Sequence, residues 1–152
     1  MGPNLSSKER TGRRLLQLGV ILFLLGLLAG FAVPAVANPR MGLSSHLEGV
    51  MNGMFLVGLG LLWPKLDLPE RLLTTAYWLA LYGTYANVLA TFLAAAWGAG
   101  VMMPIAGQGH AGTATQEAVI RVLLVSLSLA MVAACVLIAT GLRGAREPRA
   151  RD

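Results

Sequence analysis

Four long apolar runs, separated by short polar segments, constrain the fold of this chain more than any other feature. The runs are residues 15–37, 46–63, 72–97 and 116–142. A helix rises 1.5 Å per residue, so about 20 apolar residues cross a ~30 Å hydrocarbon core. Only 12% of the residues are charged, about half the share typical of soluble domains. The sequence therefore predicts an all-α integral membrane protein, a four-transmembrane-helix bundle embedded in a lipid bilayer.

Basic residues cluster at the two ends of the chain, and this predicts its orientation. Residues 1–14 form a basic leader and residues 143–152 a basic tail. Cytoplasmic segments of membrane proteins carry an excess of Lys and Arg. With both termini cytoplasmic, the outer loops contain a single basic residue, Arg40. Basic residues interleaved with aromatics along one face are absent from the sequence, which argues against nucleic-acid binding.

The start of the second run combines a histidine, a carboxylate and a capping signal. Ser45 and Glu48 have the spacing of a capping box, in which a hydroxyl and a carboxylate satisfy the first N–H groups of a helix. The second helix is therefore predicted to begin at His46, with Glu48 as a cap partner. Polar groups of this kind are costly inside a membrane, so this helix entrance is the predicted candidate site.

Two interpretations fit the glycines of this helix. His46, Gly49 and Gly53 share one face at 100° per residue. The glycines either allow close packing against another helix, or they leave bare backbone against which a flat ligand lies beneath the imidazole. Asn52 lies one turn after Glu48. It is either a hydrogen-bonding group between helices or a group that orients a substrate.

Polar side chains also interrupt the third run. Thr84, Asn87 and Thr91 form a stripe, and Tyr82 and Tyr85 lie near it. The stripe either bonds to neighbouring helices or lines a site for a polar substrate group. The two tyrosines are candidates for stacking on an aromatic ring or for transferring a proton.

The charged residues within the apolar runs indicate whether the chain could be a proton-coupled transporter. Glu117 and Arg121 lie four residues apart, which predicts an ion pair along the fourth helix. No run has a carboxylate near its predicted centre, whereas proton-coupled transport uses such groups. The pattern favours chemistry on an uncharged, lipophilic substrate over a pump.

Several segments together resemble the bacterial hydroxylaminobenzene mutases. They are residues 35–49 continuing into Asn52-Gly53-Met54, residues 79–87 and residues 112–117, within a resemblance that covers roughly residues 20–142. Members of that family are integral membrane isomerases. They convert hydroxylaminobenzene to 2-aminophenol in nitroaromatic degradation, moving the N-hydroxyl group to the ortho ring carbon without redox change. The resemblance implies a multi-pass protein of the bacterial inner (cytoplasmic) membrane that acts on a small aromatic hydroxylamine.

The chain is more distantly similar to styrene oxide isomerase, and this similarity implies a cofactor. That family is trimeric, has four transmembrane helices per subunit and binds haem b at subunit contacts. A histidine is the axial ligand, and ferric iron acts as a Lewis acid. Its histidine and following Asn-Gly-Met match His46 and Asn52-Gly53-Met54, and its Ala-Asn-Val matches residues 86–88. The resemblance therefore implies a homotrimer in which His46 ligates ferric haem b. Gly49 and Gly53, on the same face as His46, are the candidate residues against which this cofactor lies.

The match to styrene oxide isomerase departs at two substrate-side positions. Its aspartate falls at Gly83 and its tyrosine at Thr91, which favours the mutase reaction over epoxide isomerisation. The predicted catalytic residues are Asn52, Tyr82, Tyr85, Asn87 and Thr91. Two alternatives stay open at this point: an epoxide isomerase that gives an aldehyde, and a non-catalytic haem-binding or transport subunit.

Overall fold

The computed structural model describes residues 6–143 and contains no strand in that range. Its α-helices are α1 (Ser7–Ala32), α2 (Pro39–Leu62), α3 (Glu70–Trp97), α4 (Pro104–Gly107) and α5 (Ala114–Arg143), with 3-10 turns at Val33–Ala35 and Trp63–Lys65. All except α4 are long and apolar enough to cross a membrane. The prediction of an all-α chain with four potential membrane spans is confirmed. Residues 1–5 of the predicted leader and residues 144–152 of the predicted tail lie outside the described residues.

The first two helices begin earlier than the sequence pattern predicted. α1 starts at Ser7 rather than residue 15, because Ser6 and Glu9 form a capping box there. α2 starts at Pro39 rather than residue 46. The Asn38 side-chain oxygen accepts the N–H of Met41 at 3.1 Å, and proline suits the first turn because its nitrogen needs no hydrogen-bond acceptor. The predicted helix start at residue 46, with its capping box, is therefore wrong.

The other helix ends lie close to the predicted ones. α1 ends at Ala32, and Pro34 lies in the 3-10 turn that follows it. α3 ends at Trp97 as predicted, followed by Gly98 with φ 66°, a left-handed conformation that glycine adopts without steric cost. α5 extends the predicted fourth helix by one or two residues at each end.

Close glycine contacts join α1 to α2. The facing pairs are Gly12 with Gly60, Gly19 with Gly53, and Gly26 with Gly49. A Cβ atom added at Gly26 would lie 2.6 Å from the carbonyl carbon of Gly49, so only glycine fits at this crossing. Without a hydrophobic driving force between helices in lipid, such close backbone packing is a main source of helix association. The two helices therefore form one tightly packed pair.

The rest of the bundle is built on α3. Its buried alanines, among them Ala86 and Ala90, pack against Leu127 of α5. On another side, Ala76 and Ala80 belong to the same core as Leu56 of α2. α3 therefore lies between α2 and α5, and it carries the polar stripe into the centre of the bundle.

The loop between α3 and α5 is fastened by Glu117. Its carboxylate accepts the backbone N–H groups of Gly100, Val101 and Gly112 at 2.9–3.4 Å. Glu117 is only 8% exposed. It therefore anchors the loop, and the predicted pairing of its carboxylate with Arg121, which is exposed, is replaced by these bonds.

Removal of this anchor is expected to loosen the loop. Glu117→Ala leaves partly or fully buried N–H groups without their acceptor, which should lower the free energy of unfolding by about 3 kcal/mol. Thermal unfolding in mild detergent, together with protease cleavage between residues 98 and 113, measures the effect. Thr115→Ala, an exposed change in the same turn, serves as the control. Equal stability of the two variants would contradict the anchoring role.

Candidate functional site

The centre of the candidate site is a carboxylate bound by two amides. Glu48 Oε2 accepts Nδ2–H of Asn52 at 3.1 Å and Nδ2–H of Asn87 at 2.7 Å. Glu48 and Asn52 lie one turn apart on α2, and Asn87 reaches them from α3. Since a carboxylate oxygen attracts the N–H side of each amide, the two amide oxygens point away from it. They are available to accept hydrogen bonds from a bound molecule.

This cluster lies well inside the span. Glu48 is nine residues beyond Pro39, the first residue of α2, which corresponds to about 14 Å along the helix. The prediction that Glu48 caps the helix is wrong, and so is the prediction that no helix carries a carboxylate near its centre. Charged groups at such depth are rare and mostly functional. With Glu48 at this depth, the position of the carboxylates no longer excludes proton-coupled transport.

His46 lies against α1, and its hydrogen bond determines the tautomer of the neutral ring. Its Nδ1 is 2.8 Å from the backbone oxygen of Gly26. A carbonyl oxygen only accepts, so Nδ1 carries the proton and donates it, and Nε2 of the neutral ring keeps its lone pair. Gly30 makes room for the ring, since a Cβ there would lie 2.8 Å from Nδ1. A backbone carbonyl bonded to one ring nitrogen is the usual support for a histidine whose other nitrogen binds a metal.

His46 and Glu48 lie on opposite flanks of α2. Two residues along a helix correspond to about 160° between side chains, and the contacts agree, since His46 touches α1 and Glu48 touches α3. Between the two flanks lies an exposed apolar face, which we call the outer face of α2. It consists of Leu43, Leu47, Met51, Met54 and Leu61. One chain alone therefore does not bring the histidine and the amide cluster together.

The structure decides between the two interpretations of Gly49 and Gly53. Gly49 is in backbone contact with Gly26, and a Cβ at Gly53 would lie 2.6 Å from the backbone nitrogen of Phe23. α1 fills the whole space in front of both glycines. The prediction that a flat cofactor lies against them is wrong, and close helix packing is their role.

Tyr82 and Tyr85 lie apart from the amide cluster, in an apolar groove between α1 and α3. The groove has a volume of about 670 Å³. The Tyr82 hydroxyl is 2.6 Å from Ser126 Oγ, and the Tyr85 hydroxyl donates to the backbone oxygen of Leu18 at 2.9 Å. Both hydroxyls thus link helices, and neither is bonded to Asn52 or Asn87.

The threonines of the predicted stripe bond within their own helix. Thr84 donates to the oxygen of Ala80 at 2.8 Å, and Thr91 to the oxygen of Asn87 at 2.9 Å. Both side chains are buried, at 0% and 4% exposure. Among the three side chains of the stripe, only Asn87 bonds to another helix, through Glu48 of α2. Thr91 supports the backbone at Asn87, one turn away.

Sequence reasoning missed that Glu48 is the group on which both amides converge. The signal that would have found it is Asn38-Pro39, a capping residue followed by a proline that suits the first turn of a helix. Moving the helix start to Pro39 places Glu48 deep in the span, where a carboxylate needs donors. Ser45, also assigned to a cap, is buried instead and donates to the oxygen of Val88 at 3.4 Å.

Comparisons with known proteins identify the family of this chain. The family model for styrene oxide isomerase matches residues 11–143. Hydroxylaminobenzene mutase HabB of Ectopseudomonas oleovorans is 61% identical over 148 residues, which cover 97% of this chain and 90% of that protein. Hydroxylaminobenzene mutase HabA of the same organism is 49% identical over 125 residues, 82% of this chain and 93% of that protein. No solved structure gives a significant match. The chain is therefore an isomerase, and it belongs to the styrene oxide isomerase family.

Proposed function

We propose that this protein converts hydroxylaminobenzene and similar arylhydroxylamines to 2-aminophenols by intramolecular hydroxyl transfer. The observation that carries the proposal is the 61% identity with hydroxylaminobenzene mutase HabB over 97% of the chain. The reaction is an isomerisation and needs no electron donor. A site within apolar membrane helices suits a small, uncharged, aromatic substrate that dissolves in the bilayer.

The packing around α3 favours the mutase reaction over epoxide isomerisation. The position at which the resemblance to styrene oxide isomerase would require an aspartate is Gly83. In this chain the Met131 side chain of α5 occupies the space beside Gly83. Thr91, at the position of the tyrosine, has its hydroxyl bonded within α3. Neither substrate-side group of the epoxide reaction has an equivalent at these positions.

Ferric haem b is the proposed cofactor, and the donor chemistry of His46 fits it. The Nδ1–H bond to Gly26 leaves Nε2 as the atom that would bind the iron. Within residues 6–143 no three His, Cys, Asp or Glu side chains form a cluster that would enclose a bare metal ion. A haem supplies four nitrogen ligands of its own and needs only one such side chain. Bound there, it would supply Lewis-acid chemistry that polarises an N–O bond.

The amide cluster orients the substrate in this proposal. The oxygens of Asn52 and Asn87 point away from Glu48 and accept the N–H and O–H of the hydroxylamine. Because both amides are held by the same carboxylate oxygen, the two acceptors stay at a fixed spacing. Such positioning holds the migrating hydroxyl over the ortho carbon, and the apolar helices around it keep out bulk water.

The proposed assembly is a homotrimer that completes the site. His46 and the amide cluster lie on opposite flanks of the outer face of α2, so a rotational contact along this face brings His46 of one chain toward Glu48 of the next. Heterologous contacts of this kind close into a ring when the rotation is suitable. The exposed Met51 and Met54, at 63% and 62% exposure, give this face the adaptable packing of methionine.

The proposed location is the bacterial inner membrane, with both termini in the cytoplasm. The basic residues of α1 before residue 15 and the basic 3-10 turn at Trp63–Lys65 then lie on the cytoplasmic side. Arg40 lies near the outer end of α2. This arrangement follows the positive-inside rule.

An assay of purified protein tests the proposed reaction. The protein in mild detergent receives hydroxylaminobenzene without an electron donor or nucleotide, and the expected product is 2-aminophenol. A parallel sample receives styrene oxide, for which we expect little aldehyde. Aldehyde formation without 2-aminophenol would assign the chain to epoxide isomerisation, and the absence of both products would leave the non-catalytic subunit as the better account.

A further inference from the structure

The two carboxylate oxygens of Glu48 differ in their hydrogen bonding. Oε2 holds both amides, whereas Oε1 takes part in no hydrogen bond with residues 6–143. In that same part of the chain every buried side-chain oxygen and nitrogen has a partner. Oε1 therefore reaches the surface of the chain, beside the outer face of α2.

A carboxylate oxygen without a hydrogen-bond donor at this depth is costly unless a polar group binds it. On the side of the outer face, Leu47 and Met51 are 47% and 63% exposed, so the surroundings on that side are apolar. Ionisable groups within a span are expensive unless they face a cavity or an interface. In the proposed assembly the oxygen therefore faces the contact between chains, where a bound substrate would meet it.

The proposed isomerisation has a proton to move. When the hydroxyl leaves nitrogen, the N–O bond breaks, and a C–O bond forms at the ortho carbon. The ortho carbon then loses its proton, and the C–H electron pair restores the aromatic ring. The nitrogen takes up one proton to become the amine. Atoms and electrons balance without any co-reactant, provided that one group carries the proton from carbon to nitrogen.

Three other titratable side chains within the described spans are already engaged. His46 donates to Gly26, while the hydroxyls of Tyr82 and Tyr85 are bonded to Ser126 and Leu18. The remaining described carboxylates lie at helix ends or in loops: Glu9, Asp67, Glu70 and Glu117. Glu48 alone among them combines depth in the span with an open oxygen.

We propose that Glu48 is a catalytic residue that removes the ortho ring proton and returns it to nitrogen. This inference rests on the proposed mutase function. Asn52 and Asn87 hold Oε2, and Oε1 faces the ring. Transfer by one carboxylate explains how the final steps proceed where water is scarce.

Glu48→Gln is the sharpest test. Glutamine keeps an oxygen for both amides but does not act as the base, so kcat should fall by about 100-fold or more. The isotope effect measured with 2,6-dideuterated hydroxylaminobenzene should rise above that of the wild type, because removal of the ring proton becomes the slow step. Glu70→Gln, the same change at the exposed start of α3, is the matched control and should retain wild-type kcat.

The possible results separate this inference from the function on which it rests. If the wild type forms no 2-aminophenol, the proposed function fails. If the wild type is active and Glu48→Gln retains its rate, or loses rate with an unchanged isotope effect, Glu48 has no part in proton transfer. If Glu48→Gln does not fold, Glu48→Ala with added acetate decides: an acetate-dependent gain in rate supports the inference, and no gain overturns it.

Discussion

His46→Ala is expected to abolish both the haem absorption and the mutase activity. The variant removes the imidazole whose Nδ1 is fixed by Gly26, and with it the proposed axial ligand. Since even groups that only orient a ligand contribute 10- to 100-fold, loss of the ligand should lower kcat/KM by about 100-fold or more. The absorption spectrum and 2-aminophenol formation are measured on the same purified sample.

The second histidine provides the control for this prediction. His110 lies in the loop after α3, where its Nδ1 is 3.0 Å from the backbone oxygen of Gly107. His110→Ala should keep the Soret band and the activity. Added imidazole should restore part of the Soret band of His46→Ala. Full activity of His46→Ala, or no Soret band in the wild type, would rule out the haem proposal.

Gly26→Val should strongly destabilise the packed pair of α1 and α2. A Cβ at this position would lie 2.6 Å from the Gly49 carbonyl carbon. The clash is with backbone rather than with a flexible side chain, so α1 and α2 must move apart. Overpacking of this kind lowers the free energy of unfolding by about 3 kcal/mol. Because the Gly26 oxygen also binds His46, separation of the helices should weaken haem retention as well.

Gly58→Val is the matched control for helix packing. A Cβ at Gly58 meets nothing within 4 Å, so this variant should unfold at the wild-type temperature. Size-exclusion profiles recorded after heating in mild detergent compare the two variants. Equal thermal stability of Gly26→Val and wild type would show that the α1–α2 contact is looser than described.

Much of the fold follows from the sequence because apolar length and composition decide it. Four runs of sufficient length predicted four spans, and all four are present. The errors lie at helix starts, where a few local hydrogen bonds outweigh hydropathy. Ser6 and Asn38 cap α1 and α2 outside the apolar runs, and so these helices extend into the predicted leader and into the segment between the first two runs.

The site was less predictable, because helix contacts decide which polar groups meet. The spacing on α2 correctly placed His46 and the glycines on one face, but it did not show that α1 covers that face. The heptad of Gly12, Gly19 and Gly26 was a signal for this contact. No pattern within α2 or α3 alone shows that Asn87 joins Glu48, since the pairing depends on how these helices cross.

The most direct test of the central claim is the fate of the migrating oxygen. Hydroxylaminobenzene labelled with ¹⁸O in its hydroxyl group is converted by the purified protein in unlabelled water, and the 2-aminophenol is analysed by mass spectrometry. Intramolecular transfer within a site that excludes water predicts that the label is retained in the product. A product that carries oxygen from the solvent would contradict the account.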